Sequence, residues 1–260
     1  MKKFIERLFS KKISSKEKMP FIAYQAGLRL IERLKLVKLQ PKHILFLDES
    51  KKSTELSLLI KKRFPKASIT EFCPHNHPYS IPLKDQSFDL IFANAVIFQN
   101  DITATFSEWS RLLKKGGLIS FSSFGPDTFK ELQSLLTNSP HIEWFDHLKD
   151  MHLLGDALLR TKFSDSVVDM QLVTLTYRKF VSLLKDIKAS FSGLNREALL
   201  EPFPYRRLRC EYELTRNVSA LLPATLEIIY GHAWGQGLAL SPTCKSQKSK
   251  ASSMIPMTIV

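Results

Sequence analysis

The sequence predicts an α/β fold, in which a mostly parallel sheet carries helices on its faces, and three observations support that prediction. Residues 44–47 (ILFL) form a short apolar run that suits a buried parallel strand, and the helical pattern TELSLLIKKRF follows it. Residues 67–72 (ASITEF) predict a second strand. From Ser87 onwards, a strand pattern (FDLIFANA), a helical pattern (FSEWSRLLKK), Gly116-Gly117 as a left-handed helix stop and another strand pattern (LISFSSF) follow in order. This order predicts a right-handed βαβ crossover.

The remaining elements follow from the same periodicities. Residues 21–38 are predicted to form a helix, because basic residues separate the apolar positions Leu28, Ile31, Leu34 and Leu36. After Gly125 the chain is helix-rich to about Leu200, with one extended stretch, VVDMQLVTL. TLEIIYGHAW is predicted as a last strand with alternating faces, and the closing IPMTIV as an edge strand.

We therefore expect one domain with appendages. Residues 1–20 form a basic N-terminal segment, with seven Lys or Arg against two acids in the first 18 residues. Residues 21–235 form the domain, with a helical portion at about 125–215, and residues 236–260 form a loose, Ser- and Lys-rich tail.

Composition limits the partners and the compartment. The net charge of +13 over 260 residues favours an anionic partner, which can be a nucleic acid, a membrane surface or an acidic protein. No RNA-binding stacking motif, signal-peptide core or membrane-length apolar run accompanies that charge, so neither nucleic acid nor membrane is predicted. The odd, scattered set Cys73, Cys210 and Cys244 predicts a reducing cytoplasm rather than a disulfide framework.

No metal site is predicted. His75 and His77 lie in a loop rich in Pro and Asn, PHNHPYSI, with no Cys or acidic ligand beside them. His152, in DMHLLGD, is interpreted as a structural histidine on a helix.

Two long segments, IPLKDQSFDLIFANAVIFQN and FSEWSRLLKKGGLISFSSFGPDTFKEL, resemble the C-terminal half of the class I S-adenosylmethionine-dependent methyltransferase fold. The matching features are Asp89, which ends the loop before a strand, and the R-x-L-x-x-G-G pattern that starts at Arg111. Four blocks (FGPDTFKEL, DMHLLGDALLRTKF, VVDMQLVTLTY and LPATLEIIYGHAW) then resemble, in order, the malonyl-acyl-carrier-protein O-methyltransferase family of biotin synthesis. The resemblance covers about residues 27–235. A mitochondrial complex I assembly factor shares weaker versions of several blocks, but YGHAW favours the biotin branch.

The resemblance implies a Rossmann-like sheet flanked by helices, with a helical acceptor-side insertion and a shortened cofactor-binding half. It implies a cytoplasmic, monomeric enzyme that uses S-adenosylmethionine to methylate the carboxylate of malonyl-acyl carrier protein. A carboxylate is already ionised near neutral pH, so no general base is required and no catalytic residue beyond positioning groups is expected.

The donor half departs from the family pattern. Asp48, Ser50 and Lys52 stand where the family has the glycines of L-D-x-G-x-G-x-G. The second strand ends in Cys73 rather than in an acid that holds the ribose, and Glu71 shares a face with Cys73 and can substitute for that acid. Asn94 completes the candidates for cofactor binding.

The helix and strand that the family has before its "LP" block are replaced by the loop from Pro74 to Ile81. Two hypotheses remain open at this point. The chain is either an enzyme with a remodelled donor site, or a catalytically inactive relative that binds acyl carrier protein or another partner.

The acceptor half is retained. On a strand, Tyr230, His232 and Trp234 share one face; they are either a buried core cluster or, as the resemblance implies, the lining of the substrate site. A second group of candidates is basic and lies on a predicted amphipathic helix: Arg206, Arg207 and Arg209. These arginines can hold the malonyl carboxylate or dock the acidic carrier protein, and the sequence does not separate the two uses.

Overall fold

The computed structural model describes residues 20–48, 54–73, 80–98, 101–136, 145–161, 163–191 and 205–236. In chain order the elements are α1 (Phe21–Arg33), β1 (His43–Asp48), α2 (Thr54–Arg63), β2 (Ser68–Phe72), β3 (Phe88–Val96), α3 (Ile102–Leu112), β4 (Leu113–Phe124), α4 (Lys130–Gln133), α5 (Met151–Arg160), β5 (Phe163–Tyr177), α6 (Phe180–Ser190), α7 (Tyr205–Glu213) and β6 (Leu222–Gly235). Several predicted features lie outside the described residues: residues 1–19, Ser50, Lys52, His75, His77, Cys244 and IPMTIV.

The described strands form one six-stranded sheet in the order β2-β1-β3-β4-β6-β5. The first four strands in that order are mutually parallel, and β6 runs antiparallel to both β4 and β5. The predicted α/β class and the β3–α3–β4 crossover are therefore confirmed. The chain leaves β1 towards β2 on one side and β3 lies on the other, so the order reverses between β1 and β3. Sheets of this type bind ligands beyond the carboxyl ends of the strands at such a reversal.

Each face of the sheet has its own apolar core. On one face, the stacked rings of Phe46 and Phe92, with centroids 5.4 Å apart, lie under α1, α2, α6 and α7. On the other face, Phe106, Trp109 and Phe121 form an aromatic cluster under α3 and α5. Helices on both faces explain why β1 and β3 are mostly apolar and why β1, β3 and the second half of β4 are almost continuously buried.

The alternating pattern predicted for TLEIIYGHAW is wrong. From Ala224 to Gly231 every residue of β6 is buried, because this strand lies between β4 and β5 and helices cover both of its faces. Alternation appears in β5 instead, which is the edge strand and alternates between partly buried and exposed positions over much of its length. Edge position, rather than sequence composition, produces the difference.

Two helix ends differ from their predictions. The helix α1 ends at Arg33, and Leu36, predicted to lie on its apolar face, is 86% exposed at the end of the short 3₁₀ turn Leu34–Leu36. The helix α3 ends at Leu112, so Gly116 and Gly117 do not terminate it. Gly116 does have the predicted positive φ, 72°, but within β4, where Leu113 pairs with Phe88 and Leu118 with Leu90. The glycines therefore absorb the extra residues of a bulge between those pairs.

The motif residues Asp89 and Arg111 both stabilise the scaffold. Asp89 accepts hydrogen bonds from the backbone N–H groups of Lys42 and His43 at 2.9 and 2.8 Å, and Lys114 pairs with it at 2.8 Å. Burial opposes ionisation of Asp89, but these contacts outweigh it and lower its pKa. They connect the amino ends of β1, β3 and β4.

Arg111 organises the connection that precedes β3. Its guanidinium pairs with the buried Glu108 and with Asp85, and it donates to the carbonyl oxygens of Ile81 and Leu83 at 2.9 and 3.0 Å. No strand of the described sheet lies beyond β2, in agreement with the expected shortening of this half. None of the described helices is long and apolar enough to span a membrane.

Candidate active site

A row of polar side chains crosses the face of the sheet that α1 covers. Register places Asp48 of β1 beside Asn94 of β3, and Tyr230 of β6 between Ser122 of β4 and Asp169 of β5. The hydroxyl of Ser122 donates to Asn94 Oδ1 at 3.0 Å and closes the gap between β3 and β4. We call these five residues the polar row. It begins at the β1/β3 reversal and ends on the edge strand.

The end of the polar row that Asp48 and Asn94 form, which we call the donor-side end, is tightly packed. Asn94 is fully buried, and its amide donates to the carbonyl oxygen of Ala23 in α1 at 3.0 Å. A Cβ atom on Gly27 would overlap Leu56 and crowd Asn94, so glycine allows α1 to approach this closely. Asn94, predicted to bind cofactor, therefore links helix and sheet through both ends of its amide.

Backbone strain marks the same point. Ala95 has a φ of 54°, in the left-handed region that non-glycine residues rarely adopt, and its N–H donates to the Ser122 hydroxyl at 2.9 Å. Such strain persists only where surrounding contacts enforce it, and it is concentrated at functional sites. The strained residue lies at the carboxyl end of β3, next to the reversal.

Two carboxylates lie on this side of the sheet near the β1/β3 reversal. Asp48 is buried at the carboxyl end of β1, and Glu71 is exposed near the end of β2, where it pairs in register with Phe46. Residues 46 and 48 share a face by alternation, so Glu71 and Asp48 lie on the same side of the sheet. Cys73, which follows β2, is a free thiol of intermediate exposure. Carboxylates in this position suit a ligand that carries positive charge and hydroxyl groups.

The end of the polar row that Tyr230 and Asp169 form, which we call the acceptor-side end, is an aromatic and cationic cluster. The Arg33 guanidinium lies 3.7 Å from the centroid of the Tyr230 ring, and Arg33 Nη2 pairs with Asp169 Oδ2 at 2.7 Å. Arg29, one helical turn earlier on α1, also acts on Tyr230. The helix α1 thus reaches both ends of the row, through Ala23 at one end and Arg33 at the other.

Ionisation in this cluster follows from burial. Burial raises the pKa of the Tyr230 phenol, and the charges of Arg29 and Arg33 oppose that rise without cancelling it. Burial lowers the pKa of His232 below its usual value near 6.5, Asp169 opposes this, and Arg33 adds to it. Both side chains are therefore neutral at pH 7, with His232 as a neutral imidazole.

The three predicted acceptor residues on β6 are not equidistant from the carboxyl edge. Tyr230 pairs with Ser122, near the carboxyl end of β4, whereas Trp234 pairs with Leu118, nearer its amino end. Four residues of strand separate Tyr230 from Trp234, about 13 Å. Trp234 packs against the core on the α1 face, and His232 lies between the two. Of the three, Tyr230 is placed closest to the edge where ligands bind.

The predicted arginine cluster lies on α7, which is amphipathic as predicted. Leu208 and Tyr212 are fully buried. The side chains of Arg207 and Arg209 are 66% and 57% exposed, and they pair with Glu211 and Glu213 one turn later on the same helix. The side chain of Arg206 lies outside the described part of the chain. The two described arginines are therefore surface groups with local partners.

His152, interpreted from the sequence as a structural histidine, is an exposed residue in the first turn of α5. Arg29, Arg33 and Asp169 were not predicted from the sequence as site residues. The available signal was the spacing of the two arginines, four residues apart in a helical pattern, which places them on one face. Asp169 carries no such signal, because it lies 136 residues from Arg33 in the chain.

Comparisons with known proteins identify relatives of this chain. Residues 32–121 match the family described as Methyltransferase domain. The chain is 33% identical over 227 residues to malonyl-[acyl-carrier protein] O-methyltransferase 1 of Coxiella burnetii (strain RSA 493 / Nine Mile phase I), covering 80% of this chain and 78% of the relative. It is 29% identical over 258 residues to the malonyl-[acyl-carrier protein] O-methyltransferase of Legionella pneumophila, covering 88% and 89%.

A third relative is matched over a shorter span. The malonyl-[acyl-carrier protein] O-methyltransferase of Nitrosospira multiformis is 38% identical over 159 residues, so the match spans about half of its length, 52%, and 59% of this chain. Among solved structures, BH2331 of Bacillus halodurans C-125, described provisionally as a methyltransferase, superposes with a TM-score of 0.50 at 12% identity. That match covers 82% of this chain and 99% of the other, and it shows a common fold.

Proposed function

The chain belongs to the malonyl-[acyl-carrier protein] O-methyltransferase family, and from that membership we propose that it methylates the free carboxylate of a malonyl group carried by acyl carrier protein, with S-adenosylmethionine as donor. The observation that supports this most strongly in the structure is the acceptor-side end of the polar row. There, two arginines of α1 meet a buried tyrosine on the strand that carries the family's YGHAW block. Cationic groups beside a buried phenol suit a carboxylate acceptor.

The donor-side groups fit the proposed donor in charge. S-adenosylmethionine carries an ammonium, a sulfonium and ribose hydroxyls, and it supplies a methyl group that bonds to the carboxylate oxygen while the sulfur leaves as a neutral thioether. Asp48 would hold the cationic amino-acid part, and Glu71 would accept hydrogen bonds from the ribose hydroxyls. Ser50 and Lys52 remain candidates for the same part of the site.

The reaction requires little acid–base chemistry from the chain. The acceptor carboxylate is ionised at neutral pH, and no proton is transferred when the ester forms. The burial that keeps Tyr230 and His232 neutral also excludes water from the acceptor end. We therefore assign the residues of this end to positioning and desolvation rather than to general base catalysis.

The carrier protein requires a docking surface, and α7 supplies an exposed basic one. Arg207 and Arg209 project from that helix, and Arg206 precedes them in the chain. Their glutamate partners lie on the same helix, and exposed pairs of this kind contribute little, so the arginines can exchange those partners for an acidic protein. We expect a monomeric, cytoplasmic enzyme.

The direct test supplies S-adenosylmethionine with a labelled methyl group to the full chain together with malonyl-acyl carrier protein. Label should appear on the carrier in a base-labile ester, whereas acetyl-acyl carrier protein, which lacks the free carboxylate, should remain unlabelled. Calorimetric titration with S-adenosylhomocysteine should show binding in the micromolar range.

No labelling, together with no heat from S-adenosylhomocysteine at millimolar concentration while the carrier still binds, would contradict the proposal. That result would identify a non-catalytic member of the family that still binds the carrier protein. Reversal of Arg206 and Arg207 to Glu should weaken carrier binding, and Arg160→Glu on α5 is the matched surface control. Unchanged carrier affinity in the double variant would place docking elsewhere.

A further inference from the structure

The two arginines of α1 that face Tyr230 differ in how many partners they have. Arg33 interacts with Asp169 and with the Tyr230 ring. Arg29 has a buried Nη1 atom that makes no well-formed hydrogen bond to any residue in the described part of the chain. A buried cationic donor without an acceptor destabilises the folded protein, so its retention indicates a ligand rather than a structural bond.

The Tyr230 hydroxyl is in the same situation. Its oxygen is buried, and the Arg29 guanidinium lies within hydrogen-bonding reach of it and opposes the rise of the phenol pKa. Within the described ranges that contact is not a well-formed hydrogen bond, and the phenol O–H has no acceptor. Even where Arg29 donates to the phenol oxygen, Arg29 Nη1 and the phenol O–H are left as donors without an acceptor. Two donors arranged in this way form a receptor for an oxyanion.

The charge of the cluster matches a monoanion. The described charged groups that act on Tyr230 are Arg29, Arg33 and Asp169, and the Arg33–Asp169 pair is neutral as a unit. One positive charge, on Arg29, is left over. A malonyl thioester carries one ionised carboxylate at neutral pH, and the rest of the group is uncharged.

The position of Arg29 also fits the reaction. Ala23, which bonds to Asn94 at the donor-side end, lies six residues before Arg29, about 9 Å along α1. Asp48 and Tyr230 are separated by three strand spacings, about 14 Å. A carboxylate held by Arg29 would lie between the donor end and Tyr230, within reach of a methyl group delivered from the β1/β3 reversal.

We propose that Arg29 binds the malonyl carboxylate, with the Tyr230 hydroxyl as its second donor, and that this contact selects the malonyl form of the carrier. The assignment rests on the proposed function and concerns the acceptor subsite alone. It separates the two uses of arginine that the sequence left open, because Arg207 and Arg209 are exposed and paired on α7, while Arg29 is half-buried and its Nη1 atom is buried beside the polar row. Arg33 holds Tyr230 in place through the ring contact and Asp169.

The test compares the affinities of the full chain for malonyl-acyl carrier protein and acetyl-acyl carrier protein, since carrier docking is common to both and cancels in the ratio. The wild-type chain should bind the malonyl form at least about 30-fold more tightly, as expected for a buried charge pair. Arg29→Gln should reduce that ratio to near one, leave the acetyl form and S-adenosylhomocysteine unaffected, and keep or raise the melting temperature. Arg160→Gln, on the exposed side of α5, is the matched control and should change nothing.

Retention of the full malonyl preference in a folded Arg29→Gln variant would overturn the assignment, even if the wild-type chain methylates the carrier. Equal binding of both carrier forms by the wild-type chain would also overturn it. A wild-type chain that prefers the malonyl form but neither binds S-adenosylhomocysteine nor transfers methyl would contradict the proposed function instead. If Arg29→Gln does not fold, Arg29→Lys keeps the charge and loses the planar fork, so an intermediate preference is expected and an unchanged one would overturn the contact.

Discussion

The two ends of the polar row differ in the length, pairing and burial of the strands that carry them. The acceptor-side end lies on β5 and β6, strands of 15 and 14 residues that are paired along almost their whole length, and Tyr230 is buried under α1. The donor-side end adjoins β2, a five-residue edge strand with no fully buried residue, and its Glu71 carboxylate is exposed.

The contrast shows where this member of the family has kept a rigid scaffold. The proposed acceptor site uses side chains that tertiary packing holds in one arrangement. The proposed donor site, among the described residues, uses two carboxylates beside a tight contact between α1 and Asn94. The largest loss of stability should therefore come from a substitution in the acceptor half, whereas substitution of the proposed donor-site carboxylates should act mainly on ligand affinity.

The largest effect is expected at Gly231, which lies directly opposite Phe121 across the β4–β6 pair. A Cβ atom at this position would overlap the fully buried Phe121 ring, so Gly231→Ala should lower the free energy of unfolding by about 3 kcal/mol. Denaturant titration measures this. Gly155→Ala in α5, where nothing lies within 4 Å of the added atom, is the matched control and should be neutral or stabilising. Equal behaviour of the two variants would contradict the rigid acceptor half.

A smaller effect is expected from Arg111→Gln, which tests the connection on the donor side of the sheet. Removal of the guanidinium leaves Glu108, 8% exposed, without its cation and frees the carbonyl oxygens of Ile81 and Leu83. We expect a loss of about 2 kcal/mol in denaturant unfolding, less than for a fully buried pair because Arg111 is partly exposed. Lys130→Gln, which breaks an exposed pair with Asp127 at 3.8 Å, should cost less than about 0.5 kcal/mol. Similar losses in both variants would contradict this role for Arg111.

Next in size is a change in ligand affinity at the donor end. Glu71→Gln should weaken S-adenosylhomocysteine binding about tenfold, because charge-assisted hydrogen bonds to the ribose hydroxyls are lost, and stability should hardly change. Calorimetry gives the affinity and thermal unfolding gives the stability. Glu32→Gln, an exposed position on α1, is the matched control. If the Glu71→Gln variant bound S-adenosylhomocysteine with wild-type affinity, a residue other than Glu71 would have to hold the ribose.

The smallest effect is expected at Asp89, where the amino ends of β1, β3 and β4 meet. Because the pKa of Asp89 is lowered from its ordinary value of 3.8, its stabilisation is present above that value and is lost as pH falls through the folded-state pKa. Asp89→Asn should therefore cost about 1 kcal/mol at pH 7, and the difference from the wild type should disappear in acid. Unfolding at several pH values, with Asp156→Asn as an exposed control, tests this. A difference that does not shrink as the pH falls below 3.8 would show that shape rather than charge is responsible.

Local sequence pattern predicts best those elements whose burial follows directly from their own apolar residues. The central strands were predictable because burial on both faces produces unbroken apolar runs, and Leu208 and Tyr212 on α7 follow from helical spacing. The misjudged features depend on neighbours. Alternation in β6 was wrong because the strand turned out to be interior, and the α3 stop was wrong because β4 begins with a bulge that uses Gly116.

The same distinction applies to the candidate site, where a motif residue could be predicted from the sequence and the surroundings of the arginines could not. Tyr230 was predicted from its motif, and the structure places it at the level of the carboxyl edge of β4, whereas Trp234 lies about 13 Å further along the same strand. Nothing in the sequence around the arginines predicted to hold the malonyl carboxylate distinguishes an arginine on a surface helix from one in a buried contact. Arg207 and Arg29 have the same chemistry and differ only in their surroundings, because the Arg207 side chain is 66% exposed whereas Arg29 is half-buried with a buried Nη1 atom.

The sequence by itself determined the order of strands and helices, the family and the acceptor motif, because periodicity and motif spacing are local properties of the chain. Only the tertiary structure decided which polar groups meet. Arg33 and Asp169 lie 136 residues apart, yet their side chains are 2.7 Å apart because α1 crosses the sheet and β5 and β6 pair in one register. A one-residue shift of that register would turn the paired side chains to the other face, and no local pattern records it.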